Sequence, residues 1–214
     1  MAGVKRRVAV LISGRGSNME ALIGAAADPA FPAEIALVLS NRPDAAGLTT
    51  ARNSGIAAEA IDHRPFGRDR AAHEAAIDAA LRAADIEIVC LAGYMRLLTP
   101  FLVGAWRGRM LNIHPSLLPS FPGLNTHARA LAAGAKIHGC TVHLVTEDVD
   151  AGPILGQAAV PVLSGDTEDD LAKRILRQEH VLYPAALAAF CAGQPAGAPD
   201  GSTFLVNPLP LVRD

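Results

Sequence analysis

In the first half of the chain, short apolar runs alternate with longer alanine-rich stretches in which apolar residues recur at helical spacing. Residues 7–12 enter an unbroken apolar run after Arg7, the pattern of a strand buried on both faces. Further strands are predicted over 34–39, 57–61 and 86–91, and helices over 17–27, 45–54 and 70–84. This βαβα order implies right-handed crossovers and a parallel sheet with helices on both faces. The rhythm then changes. A brief strand over 110–113 leads into a loop over 114–125 that contains Pro115, Pro119, Pro122 and Gly123. That segment cannot be helical, because each proline removes a backbone donor and restricts the residue before it. A short helix over 126–133 follows, then strands over 140–145 and 154–162 around a turn holding Asp150, Gly152 and Pro153. A long helix closes the pattern over 167–190, with Thr167 as N-cap and Asp170 three residues later. The expectation is an α/β fold: a mostly parallel twisted sheet, Rossmann-like in its N-terminal half, forming a single compact domain. Its two halves divide near residue 100, and a Gly- and Pro-rich tail over 191–214 is peripheral.

Composition narrows the function. Half of the 214 residues are hydrophobic, and aromatics make up only 4%, so Ala, Val, Leu and Ile must build the core. The net charge of −2 and the absence of a basic run argue against an extended nucleic-acid surface. Cys90, Cys140 and Cys191 have neither disulfide nor zinc-site spacing, so no metal is expected from them. Residues 8–12 are too few for a signal-peptide core or a membrane span, and a soluble, cytoplasmic protein is expected.

Two segments carry candidate chemistry. Ser13-Gly14-Arg15-Gly16-Ser17-Asn18 ends a buried strand and opens a helix. Glycines there allow a tight turn and close approach of a ligand, and the helix start presents unpaired N–H groups suited to a phosphate monoester. The alternative is a tight turn with no ligand. The dinucleotide fingerprint fails at Glu20, and the Walker lysine is absent. In Asn112-Ile113-His114-Pro115-Ser116, strand alternation puts Asn112 and His114 on one face, at the carboxyl end of the sheet where open α/β folds bind ligands. An amide and an imidazole there can hold a developing negative charge and move protons. A carboxylate such as Asp150 would orient the ring. The competing reading makes all three structural. His63, His73 and His180 read as surface or helix residues, while His127, His138 and His143 rival His114.

Together with Leu91-Ala92-Gly93-Tyr94-Met95-Arg96-Leu97-Leu98, the extension of the Asn–His–Pro loop to Pro119, Phe121-Pro122-Gly123, His138-Gly139, Val142-His143, Asp150-Ala151-Gly152-Pro153 and Gln178-Glu179-His180, these segments resemble the glycinamide ribonucleotide formyltransferase family over about residues 7–190. The resemblance implies the formyltransferase fold. It also implies transfer of a formyl group from the cosubstrate 10-formyltetrahydrofolate to the amine of glycinamide ribonucleotide in de novo purine biosynthesis, without metal or covalent enzyme intermediate. It assigns the nucleotide phosphate to Gly16, Ser17 and Asn18, and the ribose or glycinamide end to Arg177, Gln178 and Glu179. Folate falls to Arg70, Met95, Arg96, Leu97 and Leu98, with Asn112 and the loop of Thr146, Glu147, Asp148, Val149 and Asp150. In this reading Met95 and Leu98 flank the flat pterin ring. Asn112, His114 and Asp150 become the catalytic trio, stabilising a tetrahedral oxyanion and passing a proton from the amine to N10. The implied partners are these two small molecules, with no nucleic acid and no membrane, for a monomer or homodimer. Departures from the family pattern are Ala151 for a common Gly, Asn125 for a frequent His and Ser120 for a frequent Lys. Methionyl-tRNA formyltransferases share the Asn–His–Pro signature but usually have Arg where Pro122 stands, and they carry an appended RNA-binding domain. Deformylases of the same superfamily carry an N-terminal regulatory domain.

Overall fold

The computed structural model describes residues 5–193 and 204–205. The chain divides into two compact units, Met1–Asn112 with Val145–Glu147, and Ile113–Leu144 with Asp148–Asp214. The first unit runs through Asn112, because Met110 to Asn112 pair with Val89 to Leu91 and so complete its sheet.

In the first unit the strands among the described residues are β1 (Arg6–Ile12), β2 (Ala33–Ser40), β3 (Ala57–Ala60), β4 (Ile88–Leu91) and the start of β5 (Met110–His114). They run parallel in the order β3-β2-β1-β4-β5. Helices α1 (Ser17–Ala26), α2 (Ala46–Asn53), α3 (Arg70–Ala83) and α4 (Pro100–Ala105) connect them, with a short 3-10 turn at Arg64–Phe66. Alternation along β1 sets the layers. Ala9 and Leu11 pack with Ile77 and Leu81 of α3 and with Leu102 and Trp106 at α4. Ile12 points the other way, toward Gly47 of α2. Helices therefore cover both faces, as the pattern predicts. Pattern reading missed α4, since its six residues are almost uniformly apolar and show no helical stripe. The cue was Thr99-Pro100, a helix-start pair; Glu74 of α3 accepts from both the Thr99 amide and its hydroxyl.

The second unit contains β6 (Ile137–Leu144) and β7 (Ile154–Pro161), paired antiparallel, with β8 (Phe204–Leu205) beside β7. Helices α5 (Thr126–Ala132) and α6 (Glu168–Cys191) complete it. Leu171, Ile175, Leu182 and Ala186 form the buried stripe of α6. Predicted element ends agree within a residue or two, except that β6 begins three residues early, at Ile137. Apart from Cys191 to Gly193 and β8, the tail lies outside the described residues.

Candidate active site

In the first unit, β1 ends at Ile12 and the chain turns into α1 through Gly16, which has φ 77°. That left-handed conformation favours glycine, and no side chain caps the first turn of α1, so its amides face the loop. Gly14 has an ordinary φ and open space at its Cβ position. Only Gly16, therefore, is demanded by the backbone. A cavity of about 440 Å³ opens beside the loop. Residues 13–18 line it, as do Asn41, Arg42, His63, Met95 and Arg96. Ser13 joins three strand ends: its hydroxyl donates to Asn41 Oδ1 at 2.6 Å and accepts from the Met95 amide at 2.8 Å. His63 Nδ1 donates to the Asn41 carbonyl at 2.8 Å. Asn41 and Arg42 went unread in the sequence, and His63 was read only as a surface or helix residue, although Asn41 directly follows the carboxyl end of a predicted parallel strand, where such folds place ligand residues.

Leu98 is half-buried and packs against the first unit's core, while Met95 and Leu97 are exposed, at 67% and 63%. Arg70 sits exposed at the start of α3 and does not line the cavity. His73 is a helix residue, on α3. It is buried, and its Nε2 donates to the Ile61 carbonyl at 2.8 Å; burial lowers its pKa. His63 lines the cavity.

In the second unit, the loop after β5 is bolted to the β6–β7 hairpin. Thr141 Oγ1 donates to the Ser116 carbonyl at 2.6 Å and accepts from the Leu118 amide at 3.0 Å. Gln157 Nε2 donates to the Leu118 carbonyl at 2.8 Å. Gly139 permits this contact, since a Cβ there would meet the Ala158 carbonyl at 2.0 Å and Leu117 Cδ2 at 2.9 Å. The loop so held carries His114, which is buried. Its Nδ1 lies 3.5 Å from Asp150 Oδ2, and its Nε2 lies 3.2 Å from the Phe121 carbonyl. A carbonyl only accepts, so Nε2 carries a proton and Nδ1 faces the carboxylate. Asp150, itself left-handed at φ 55°, also accepts from the Gly123 amide at 2.8 Å. A register shift between Val142 and His143 turns His143 toward the same carboxylate, 3.7 Å from Oδ1. Burial lowers the pKa of His143, against the pull of Asp150. Asn112 is half-buried, two residues before His114 in β5. Ring contacts gather Phe121, His127 and His138 at centroid spacings of 5.6 Å, and burial pushes His138 down to about 4.

On α6, Gln178 and Glu179 are buried while Arg177 is exposed. The Glu179 charge contributes, after burial, to raising the Cys140 thiol pKa, which places this carboxylate near β6. In the 146–150 loop, Glu147 pairs with Arg107 at 3.2 Å, and Asp148 and Val149 are exposed. Among the described residues no group of three His, Cys, Asp or Glu side chains is placed to hold a metal ion.

Residues 6–187 match the formyl transferase family model. The chain is 50% identical over 189 residues to the trifunctional purine biosynthetic protein adenosine-3 of Homo sapiens, covering 88% of this chain and 19% of that protein. It thus spans about a fifth of the length of these trifunctional relatives. It is 43% identical to phosphoribosylglycinamide formyltransferase of Escherichia coli, over 87% of this chain and 88% of the relative. The crystal structure of phosphoribosylglycinamide formyltransferase from Brucella melitensis is similar at TM-score 0.84 and 57% identity, covering 91% of this chain and all of that one. The chain belongs to the formyl transferase family, in which phosphoribosylglycinamide formyltransferases are among its relatives.

Proposed function

We propose that this chain is an enzyme of de novo purine biosynthesis that transfers a formyl group from 10-formyltetrahydrofolate to the amine of glycinamide ribonucleotide, giving formylglycinamide ribonucleotide and tetrahydrofolate. The observation that carries the reading is the buried His114–Asp150 pair, anchored on the Phe121 carbonyl and the Gly123 amide in a chain of this family. The folate cosubstrate supplies the formyl carbon. A bond forms from the amine nitrogen to that carbon, the bond to N10 breaks, and one proton moves from the amine to N10. Asn112 donates to the formyl oxygen as negative charge develops there, and His114 stabilises the same charge. Nδ1 of His114 can take up a proton against the Asp150 carboxylate, so the pair carries the proton between the two nitrogens.

The donor set fits the substrates. Gly16, Ser17 and Asn18, at an uncapped helix start, suit the nucleotide phosphate. Glu179, with Arg177 and Gln178, is assigned to the ribose or glycinamide end. Met95, Arg96, Leu97 and Leu98, of which Met95 and Leu97 are exposed, are assigned with the 146–150 loop to the pterin, and Arg70 to the rest of the folate. We place the enzyme in the cytoplasm, acting on small molecules and not on nucleic acid, in keeping with its net charge of −2.

The test is turnover per folded molecule. His114→Ala should lose about 100-fold or more, while Asp150→Asn and Asn112→Ala should slow turnover with little change in nucleotide affinity. Gly16→Val should mainly weaken nucleotide binding. Near-normal turnover in folded His114→Ala overturns the assignment, and free formate as the main product would make the chain a deformylase.

A further inference from the structure

The segment 121–123 touches both members of the pair: its first carbonyl accepts from His114 and its last amide donates to Asp150. Its backbone is unusual. Phe121, Gly123 and Asn125 all have positive φ, at 53°, 79° and 56°. A bulky aromatic residue rarely adopts that region, so neighbouring groups must hold the segment there. One group spans it. Arg129, on the exposed side of α5, donates through Nη1 to the Pro122 carbonyl and, at 3.4 Å, to the Leu124 carbonyl. Its guanidinium carbon lies 5.7 Å from the Phe121 ring centroid. The same ring meets His138 edge-on at 88°. Among the described residues Arg129 has no carboxylate partner, so its charge is used on two carbonyls and an aromatic face. Arginine suits this arrangement, since its planar group donates in its own plane and stacks through its face, which lysine cannot do.

We propose that Arg129 is a positioning residue for formyl transfer: it clamps the 121–123 segment, so that the Phe121 carbonyl keeps the His114 proton on Nε2 and the Gly123 amide keeps Asp150 facing Nδ1. The inference rests on the catalytic reading of His114 and Asp150. Arg129 itself touches neither residue and acts through the loop.

The experiment compares the wild-type protein with Arg129→Ala, Arg129→Lys and His114→Ala. It uses steady-state kinetics with both substrates and ¹⁵N spectra of the His114 ring in labelled protein. Arg129→Ala should lower kcat about tenfold, the scale of a small misplacement of catalytic groups, with KM for both substrates within about twofold. The Nε2 signal of the His114 ring should move from its wild-type position, as its hydrogen bond to the Phe121 carbonyl loosens. Arg129→Lys should recover part of kcat and move the Nε2 signal part of the way back, and it serves as the probe if Arg129→Ala does not fold. Wild-type kcat and an unchanged His114 spectrum in the folded variants overturn the proposal, as does a loss confined to melting temperature or KM. Full turnover in His114→Ala would instead remove the catalytic reading beneath it, so the two failures are told apart.

Discussion

Gly47 makes the tightest steric demand among the described glycines of the first unit. A Cβ there would sit 2.5 Å from Ile12 Cδ1 and 2.9 Å from the Arg15 carbonyl. Its own amide donates to the Gly14 carbonyl at 3.1 Å, so α2 abuts the 13–18 loop directly. Gly47→Ala should cost about 1–3 kcal/mol through overpacking. It should also weaken binding at the proposed phosphate site, because the Arg15 backbone is one of the groups displaced. Chemical denaturation and calorimetric titration with glycinamide ribonucleotide measure the two effects. Gly24, in the interior of α1 with an ordinary φ and nothing near its Cβ position, is the control: Gly24→Ala should be neutral or stabilise by about 0.4–1 kcal/mol. Equal effects at the two sites would contradict the packing argument. The demand at Gly47 was illegible in the sequence, since it depends on a neighbour from β1 and not on the helix that carries it.

Helix α6 shows the opposite case, an element whose start is readable locally. Thr167 Oγ1 accepts from the Asp170 amide at 3.2 Å, and the Asp170 carboxylate accepts from the Thr167 amide at 3.1 Å, a reciprocal cap three residues wide. Glu168, Asp169 and Asp170 place negative charge where the helix dipole favours it. Thr167→Ala should lower stability by about 1 kcal/mol, read from urea melts, and leave kcat unchanged. A drop in kcat would mean that the α6 start reaches the site. The same local logic failed at α4, where a short helix buried by contact with α3 carries no periodic signal.

For the molecule as a whole, buried histidines set the response to acid. His73, His127, His138 and His143 all have lowered pKa values, with burial the leading cause. A free histidine takes a proton near pH 6.5, whereas folded His138 does so only at about 4. Between those values the unfolded chain binds more protons than the folded one. Stability is therefore full above about pH 6.5 and falls as pH drops toward 4, by up to about 1.4 kcal/mol per pH unit from His138 alone. Urea melts at pH 7.5 and 5 should show this fall. His138→Phe, which keeps an aromatic ring beside Phe121 and His127, should reduce it. An unchanged pH slope in that variant would remove His138 as a contributor.

Local order was determined by the sequence. The apolar runs, the proline-rich loop, the glycine turn into α1 and the cap of α6 each depend on neighbours a few residues away, and each lies within a few residues of its predicted place. Family motifs in the same sequence named His114 and Asp150 before any geometry. Only the tertiary structure decided what depends on distant partners. It set His114 against Asp150 and Phe121, turned His143 inward at a strand irregularity, and brought Asn41 and His63 beside the 13–18 loop. It also packed half-buried Leu98 against the core while leaving Met95 and Leu97 exposed. The physical reason is range: hydrogen-bonding propensity and periodicity act along the chain, while burial and close approach are settled by residues far apart in sequence that packing brings together.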